Sequence, residues 1–378
     1  MKRWDIFCSV VDNYGDVGVA LRLARQLATE HAIAPRLYVD DRSRMLRMAP
    51  DGVTGVDVLD WQGAAGPWRA DAAHEPADTV VEAFGCGLPP AYLDAMQAKP
   101  VPAPWINLEY LSAEPWIDDH HGLASPQPRR PLTRHFFFPG FTADSGGLLR
   151  ERGLLAARDA FVADASARGA LWRSLGIEPP DPRALLVSLF CYPTPALQAL
   201  LETWSNGSTP VACIVAEGVA ERTIEAWAGA PLRAPGANRK RGQLVVSRTR
   251  FSSQETFDRL LWACDFNVVR GEDSFVRALW AGRPMLWHTY VQAGRAHLIK
   301  LDAFLARYEQ GLPADVSLAN RTFARAWNRD DGAAVTAAWA AMQRALPALT
   351  AHARQRASAL AAQTDLATRL VRFVQKVV

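Results

Sequence analysis

At 378 residues the chain is long for a single hydrophobic core, so two domains are the natural expectation. Its 49% apolar and 21% charged residues describe an ordinary soluble globular protein. A net charge of +3 is too mild to indicate a nucleic-acid binder, although it slightly favours an acidic protein partner.

The five cysteines (Cys8, Cys86, Cys191, Cys213 and Cys264) stand singly in apolar runs, with no C-x-x-C pair. That spacing predicts buried thiols in a reducing compartment rather than a disulfide frame or a zinc site. The N-terminus enters a strand directly, without the apolar core of a signal peptide, and no apolar run reaches the length of a membrane span. The expected location is the cytoplasm.

Ile6 to Val11 forms a continuous apolar run, as in a central parallel strand. After the turn Asp12-Asn13-Tyr14-Gly15-Asp16, the spacing of Val17, Ala20, Leu21, Ala24, Leu27 and Ala28 predicts one face of a helix. Strand patterns recur at Leu37–Val39, Val56–Leu59, Thr79–Ala83 and Trp105–Leu108, which predicts a doubly wound sheet. The stretch 112–147, rich in proline and aromatics, is expected to be a long irregular excursion over the surface.

A helix is predicted over 153–175. The prolines at 179, 180 and 182 then make 176–182 the best linker in the chain. A second alternation follows: strands at 184–191, 211–216, 244–247, 266–269 and 285–287, with helices between them, and a largely helical tail. Two Rossmann-like halves facing across a cleft match the GT-B architecture of glycosyltransferases, although other α/β classes give a similar outline. The domains are expected at 1–178, joined by the C-terminal helix 362–378, and at 179–361.

Open α/β sheets bind ligands beyond the carboxyl ends of their strands, so three turns stand out. In the first, Asp12 and Asp16 either close the strand and cap the helix, or face a cleft as a base and an orienting carboxylate. In the second domain, Phe190 and Tyr192 end one strand, while Phe251, Gln254 and Phe257 follow another. Aromatic faces and an amide suit a flat nucleobase, but Phe190 or Phe257 taken alone is better read as core.

The third turn is Arg270-Gly271-Glu272-Asp273-Ser274-Phe275, a strand end running into a helix start. One reading is a capped helix with Arg270 paired to Glu272. The other is an anion site in which Arg270, the Asp273 and Ser274 N–H groups and the Ser274 hydroxyl hold a diphosphate. Tyr290 and Gln292, just beyond the next strand, could add hydrogen bonds. Dinucleotide, P-loop and nucleophile-elbow motifs are absent. Asp118-Asp119-His120-His121 is a poor metal set, because adjacent side chains rarely converge on one ion.

In order and spacing, Asp12 to Asp16, Phe190-Cys191-Tyr192 and Arg270 to Phe275 together resemble the EarP family. These are bacterial protein-arginine rhamnosyltransferases that modify elongation factor P. The resemblance runs along essentially the whole chain. It implies a GT-B fold, no metal and no cofactor, with dTDP-β-L-rhamnose as donor substrate and elongation factor P as acceptor. It also implies inversion to α-rhamnosyl-arginine, activating the factor for rescue of polyproline-stalled ribosomes. Nucleic acid and membrane are not expected partners.

By the same resemblance Asp16 is similar to the general base, Asp12 to a placing carboxylate and Glu272 to a second essential acid. The implied donor-binding residues are Asn13, Tyr14, Gly15, Phe190, Tyr192, Phe251, Gln254, Phe257, Arg270, Gly271, Asp273, Ser274 and Tyr290. The alternatives are a GT-B transferase with another donor or acceptor, and a binding protein without chemistry.

Overall fold

Strands and helices alternate through two compact units, 1–152 with 360–378 and 153–359. The computed structural model describes residues 1–11, 14–66, 68 and 75–377. In the first unit the chain runs β1 (Lys2–Cys8), α1 (Gly15–His31), β2 (Ile33–Val39), α2 (Arg42–Met48), β3 (Asp57–Asp60), β4 (Thr79–Ala83), α3 (Pro90–Gln97), β5 (Trp105–Leu108), α4 (Trp116–His120), β6 (Ala124–Pro126) and β7 (Thr133–Phe137). The sheet order is β3-β2-β1-β4-β5-β7-β6, parallel throughout except that β6 runs antiparallel to β7.

β1 is central because its apolar run can be covered on both faces. Trp4, Ile6, Phe7 and Cys8 are buried, and Phe7 stacks on Tyr38 of β2 at 4.5 Å. A charged pair, Asp5 and Arg36, sits in this core. Asp5 accepts hydrogen bonds from Arg36 Nε at 2.7 Å, Arg36 Nη2 at 2.8 Å and the Tyr92 hydroxyl at 2.5 Å. Burial on this scale is tolerable only because each lone pair finds a donor.

The stretch 112–147 is not the irregular excursion its composition predicts, for it contains α4, β6 and β7. β7 pairs with β5, Arg134 opposite Trp105, and the Arg134 guanidinium lies 5.5 Å over the Trp105 ring. A charged residue lying flat on an aromatic one fits a strand that alternation alone does not reveal.

The second unit runs α5 (Leu154–Ala163), α6 (Ala165–Leu175), β8 (Leu185–Leu189), α7 (Pro195–Asn206), β9 (Val211–Val215), α8 (Glu221–Ala228), β10 (Asn238–Arg241), β11 (Leu244–Arg248), α9 (Gln254–Ala263), β12 (Phe266–Arg270), α10 (Asp273–Ala281), β13 (Met285–His288), α11 (Ala296–Tyr308), α12 (Ala314–Asn328) and α13 (Gly332–Ala361). Its sheet order is β10-β11-β9-β8-β12-β13, with only β10 antiparallel. β8 therefore lies beside β12 although distant in sequence, which brings the ends of two predicted ligand-binding turns together. The division between units falls at Arg152/Gly153 rather than 178/179, because α5 packs on α9 and α10.

The chain closes with α14 (Leu366–Val377), back in the first unit against α1. Leu366, Ala367, Leu370 and Val374 form its buried stripe. From the same helix Arg369 Nη1 donates to the carbonyls of Thr142 and Ala143 at 2.9 Å and of Ser145 at 2.6 Å, fixing the loop after β7.

Candidate active site

In the second unit the carboxyl ends of β8 and β12 meet around one guanidinium. Arg270 closes β12, and its guanidinium lies 4.5 Å from the Phe190 ring centroid and 4.8 Å from that of Tyr192. Arg270 Nη1 also donates to the Cys191 carbonyl at 3.3 Å. The expected alternative, Arg270 paired to Glu272, is not what the structure contains. Glu272 Oε1 accepts from Lys300 Nζ of α11 at 3.2 Å. Two aromatic faces instead hold a planar cation, which leaves the edge of its fork for an anion.

The turn after Arg270 explains its own composition. Gly271 has φ +59°, which favours a residue without Cβ, and its carbonyl accepts from Trp287 Nε1 at 2.9 Å. Glu272 is the N-cap of α10 by position but makes no capping hydrogen bond. The Ser274 hydroxyl accepts the Arg270 N–H at 3.1 Å and donates to the Arg270 carbonyl. That hydroxyl therefore ties the loop together, and the groups at this point able to meet an anion are the N–H groups of the helix's first turn. Behind it Phe275 stacks on Trp287 at 4.1 Å, and Arg277 makes a buried bidentate pair with Asp258 of α9 at 3.0 and 2.6 Å.

Phe190, Phe251 and Phe257 are each only half-buried, so none is a simple core residue. Phe190 meets Phe257 edge to face at 5.4 Å. Gln254 opens α9 and is buried, its amide donating to Asp273 Oδ2 at 3.3 Å. That bond links the start of α9 to the start of α10. Tyr290 is exposed and lies edge-on to Tyr192 at 5.6 Å.

In the first unit Asp16 lies in the first turn of α1, with the carboxylate almost fully buried. It does not serve as the helix cap; Tyr14 occupies that position without a side-chain bond. Asp16 Oδ2 accepts the Val11 N–H at 2.9 Å, so it braces the end of the β1–α1 turn from inside. Gly15 starts the helix, and the Tyr14 hydroxyl accepts from Arg47 Nη1 at 3.0 Å. Asp12 and Asn13 lie outside the described residues.

Three neighbours escaped sequence reasoning. Lys300 neutralises Glu272 from a helix two elements away, and no local spacing marks it. Trp287 supports the Gly271 carbonyl from the next strand. His288, at the end of β13, sets its ring edge-on to Tyr192 at 5.2 Å and to Trp327 at 5.7 Å. Burial pushes His288 down to about 4, so its imidazole stays neutral beside the Arg270 site. Its Nδ1 has no hydrogen-bond partner among the described residues. A buried His after an apolar strand was the one available signal.

No group of three or more metal-ligating side chains converges among the described residues. In the 118–121 run, Asp118 accepts from Thr142 Oγ1 at 2.6 Å and His121 Nδ1 accepts the Phe138 N–H at 3.1 Å. Those side chains face different neighbours.

The chain is similar in sequence and fold to known proteins. The family model of the elongation-factor P (EF-P) rhamnosyltransferase EarP matches residues 4–375. A protein-arginine rhamnosyltransferase of Pseudomonas putida is 50% identical over 378 residues, covering 98% of each chain. A solved structure described as the structural basis for EarP-mediated arginine glycosylation of translation elongation factor EF-P is 39% identical. It has a TM-score of 0.72 and covers 100% of both chains. MurG of Acinetobacter baumannii, a GT-B glycosyltransferase, has a TM-score of 0.50 at 15% identity, a likeness of fold alone.

Proposed function

Because the chain belongs to the EarP family of protein-arginine rhamnosyltransferases, with a GT-B fold, we propose that it moves L-rhamnose from dTDP-β-L-rhamnose to an arginine of elongation factor P. The product is α-rhamnosyl-arginine, formed with inversion. The observation that carries the donor half is the Arg270 guanidinium held flat against Phe190 and Tyr192 at the mouth of α10. A nucleoside diphosphate is the ligand such a set suits: guanidinium and helix N–H groups for the diphosphate, half-buried rings for the base.

Arginine is a reluctant nucleophile because its guanidinium is charged and delocalised, with a pKa above 12. Attack requires electron density to collect on one terminal nitrogen while a proton leaves. In this mechanism that nitrogen bonds to the anomeric carbon from the face opposite the diphosphate, and the carbon–oxygen bond to the diphosphate breaks. Asp16 takes the proton as the new bond forms. Full deprotonation beforehand is unnecessary, since only charge in the transition state sets the rate. Asp12 and Glu272 are assigned to gripping and polarising the guanidinium, with Lys300 holding Glu272 in place through their ion pair. Arg270 and the first turn of α10 stabilise the departing dTDP. No step calls for a metal ion or a cofactor.

The test is incubation with dTDP-β-L-rhamnose and elongation factor P, followed by intact mass and peptide mapping. A gain of one deoxyhexose on an arginine is expected. Nucleotide binding without a mass change would favour a binding protein, and transfer from another nucleotide sugar would reassign the donor.

A further inference from the structure

Beside Asp16, at the same edge of the first sheet, β4 and β5 end in a group of side chains that the first-turn carboxylates leave unexplained. β4 runs next to β1 with Glu82 opposite Phe7, so the residues after Ala83 emerge beside the end of β1. The Cys86 thiol donates to the Phe7 carbonyl at 3.4 Å. Burial pushes the Cys8 thiol up, and the Asp16 charge adds to this.

In this turn Phe84 has φ +59°, a left-handed conformation that bulky side chains rarely adopt, and Gly85 follows at φ +63°. The Phe84 ring stacks on Tyr110, with centroids 4.5 Å apart and planes 18° from parallel. Neither ring is core: Phe84 is half-buried and Tyr110 exposed. Next to Tyr110 in sequence stands Glu109, a half-buried carboxylate. The buried Asn107 side chain joins the two features. Its amide donates to Glu109 Oε1 at 2.5 Å, and its Oδ1 accepts the Gly85 N–H at 3.1 Å.

The plain alternative is that Glu109 serves Arg134. That guanidinium, however, reaches Glu82 at 3.4 Å and lies over the Trp105 and Phe136 rings at 5.5 and 5.1 Å. Burial, which outweighs the pull of Arg134, holds the Glu109 carboxyl above its usual range. A carboxylate kept in that state costs some folding stability, and such groups cluster at functional sites.

We propose that Glu109 and the Phe84–Tyr110 pair form the subsite for the acceptor's arginine, with Glu109 receiving the guanidinium fork and the aromatic pair its flat face. A planar cation needs these two things, a bidentate acceptor in its plane and a π surface above it. The inference rests on reading the first unit as the acceptor side. Glu109 binds and orients the guanidinium, and proton removal stays with Asp16.

The test compares the full-length wild-type chain with Glu109→Gln. The readouts are steady-state kinetics with elongation factor P at saturating dTDP-β-L-rhamnose, calorimetric dTDP affinity, and binding of elongation factor P with its target arginine intact or replaced by alanine. In Glu109→Gln the KM for the acceptor rises tenfold or more while dTDP affinity stays within twofold. The preference for arginine over alanine in the acceptor falls by a similar factor, Asp12 and Glu272 keeping the remainder, and the melting temperature holds or rises. Tyr110→Ala gives a smaller loss, a few-fold in acceptor KM. An unchanged acceptor KM with the arginine preference intact would overturn the subsite alone. A Glu109→Gln protein that lost dTDP affinity instead would overturn the acceptor-side reading, and the subsite with it.

Discussion

Removing the Arg270 guanidinium separates its packing in the fold from its proposed hold on the diphosphate. Within the fold it lies over two rings at 4.5 and 4.8 Å, and solvent-accessible cation–π contacts are worth about 0.5–1 kcal/mol each. Arg270→Ala should therefore cost about 1–2 kcal/mol of stability in the second unit, with the Cys191 carbonyl contact adding little. Toward the ligand the loss is larger. A charge-assisted hydrogen bond is worth about 1.5–3 kcal/mol, so dTDP should bind roughly 10- to 150-fold more weakly. Thymidine, which has no diphosphate, should bind the variant and the parent alike.

Calorimetry with dTDP, dTMP and thymidine reads this directly. Arg270→Lys should fall between, because an ammonium keeps the charge but loses the planar stacking and the fork. A dTDP affinity within twofold of the parent would remove Arg270 from the diphosphate site. An equal loss for thymidine would mean that the residue orders the Phe190–Tyr192 pocket rather than holding phosphate.

Asp16→Asn should lower transfer by about 100- to 10,000-fold, the range for a positioned general base, with dTDP affinity unchanged. Near-normal rhamnosylation by that variant would end its assignment as the base. Arg277→Ala leaves Asp258 buried without its bidentate partner and should cost about 3–5 kcal/mol in denaturant unfolding. A cost below about 1 kcal/mol would mean the pair is far more solvated than its burial indicates. The neutral, buried His288 makes stability depend on pH. Its folded value is depressed to about 4, so the unfolded chain binds the extra proton first. The contribution is whole above the ordinary histidine range, near 6.5, and is lost as pH falls towards 4. His288→Gln should flatten that slope in unfolding measured across this window. A slope unchanged from the parent would assign the pH dependence to other groups, such as His121, whose value burial also depresses to about 4.

The alternation of strands and helices was legible because period-2 and period-3.6 apolar patterns are local. So was the β12–turn–α10 element, where Val268, Val269, Gly271 and the helix face beginning at Phe275 lie within one short span. β7 was not legible. Arg134 and His135 interrupt its apolar pattern, and only the neighbouring Trp105 and Phe136 rings give the arginine its place. The unit boundary was also hidden, since the proline-rich linker is the strongest local break while the packing of α5 on α9 and α10 is long-range.

The turn from Arg270 to Phe275 divides the two kinds of information most clearly. By itself the sequence determined that a strand ends there, that a helix begins, and that the junction carries an arginine, two carboxylates and a hydroxyl. It also determined the family, through residue types at fixed spacing. Partners were decided only by the tertiary structure. Arg270 lies on Phe190 and Tyr192 because β8 is the neighbour of β12. Glu272 pairs with Lys300 because α11 returns over this edge, and the Ser274 hydroxyl turns back to Arg270. Side-chain pairing depends on which elements become neighbours, and strand order is set by the burial of whole sheets rather than by any local run of residues.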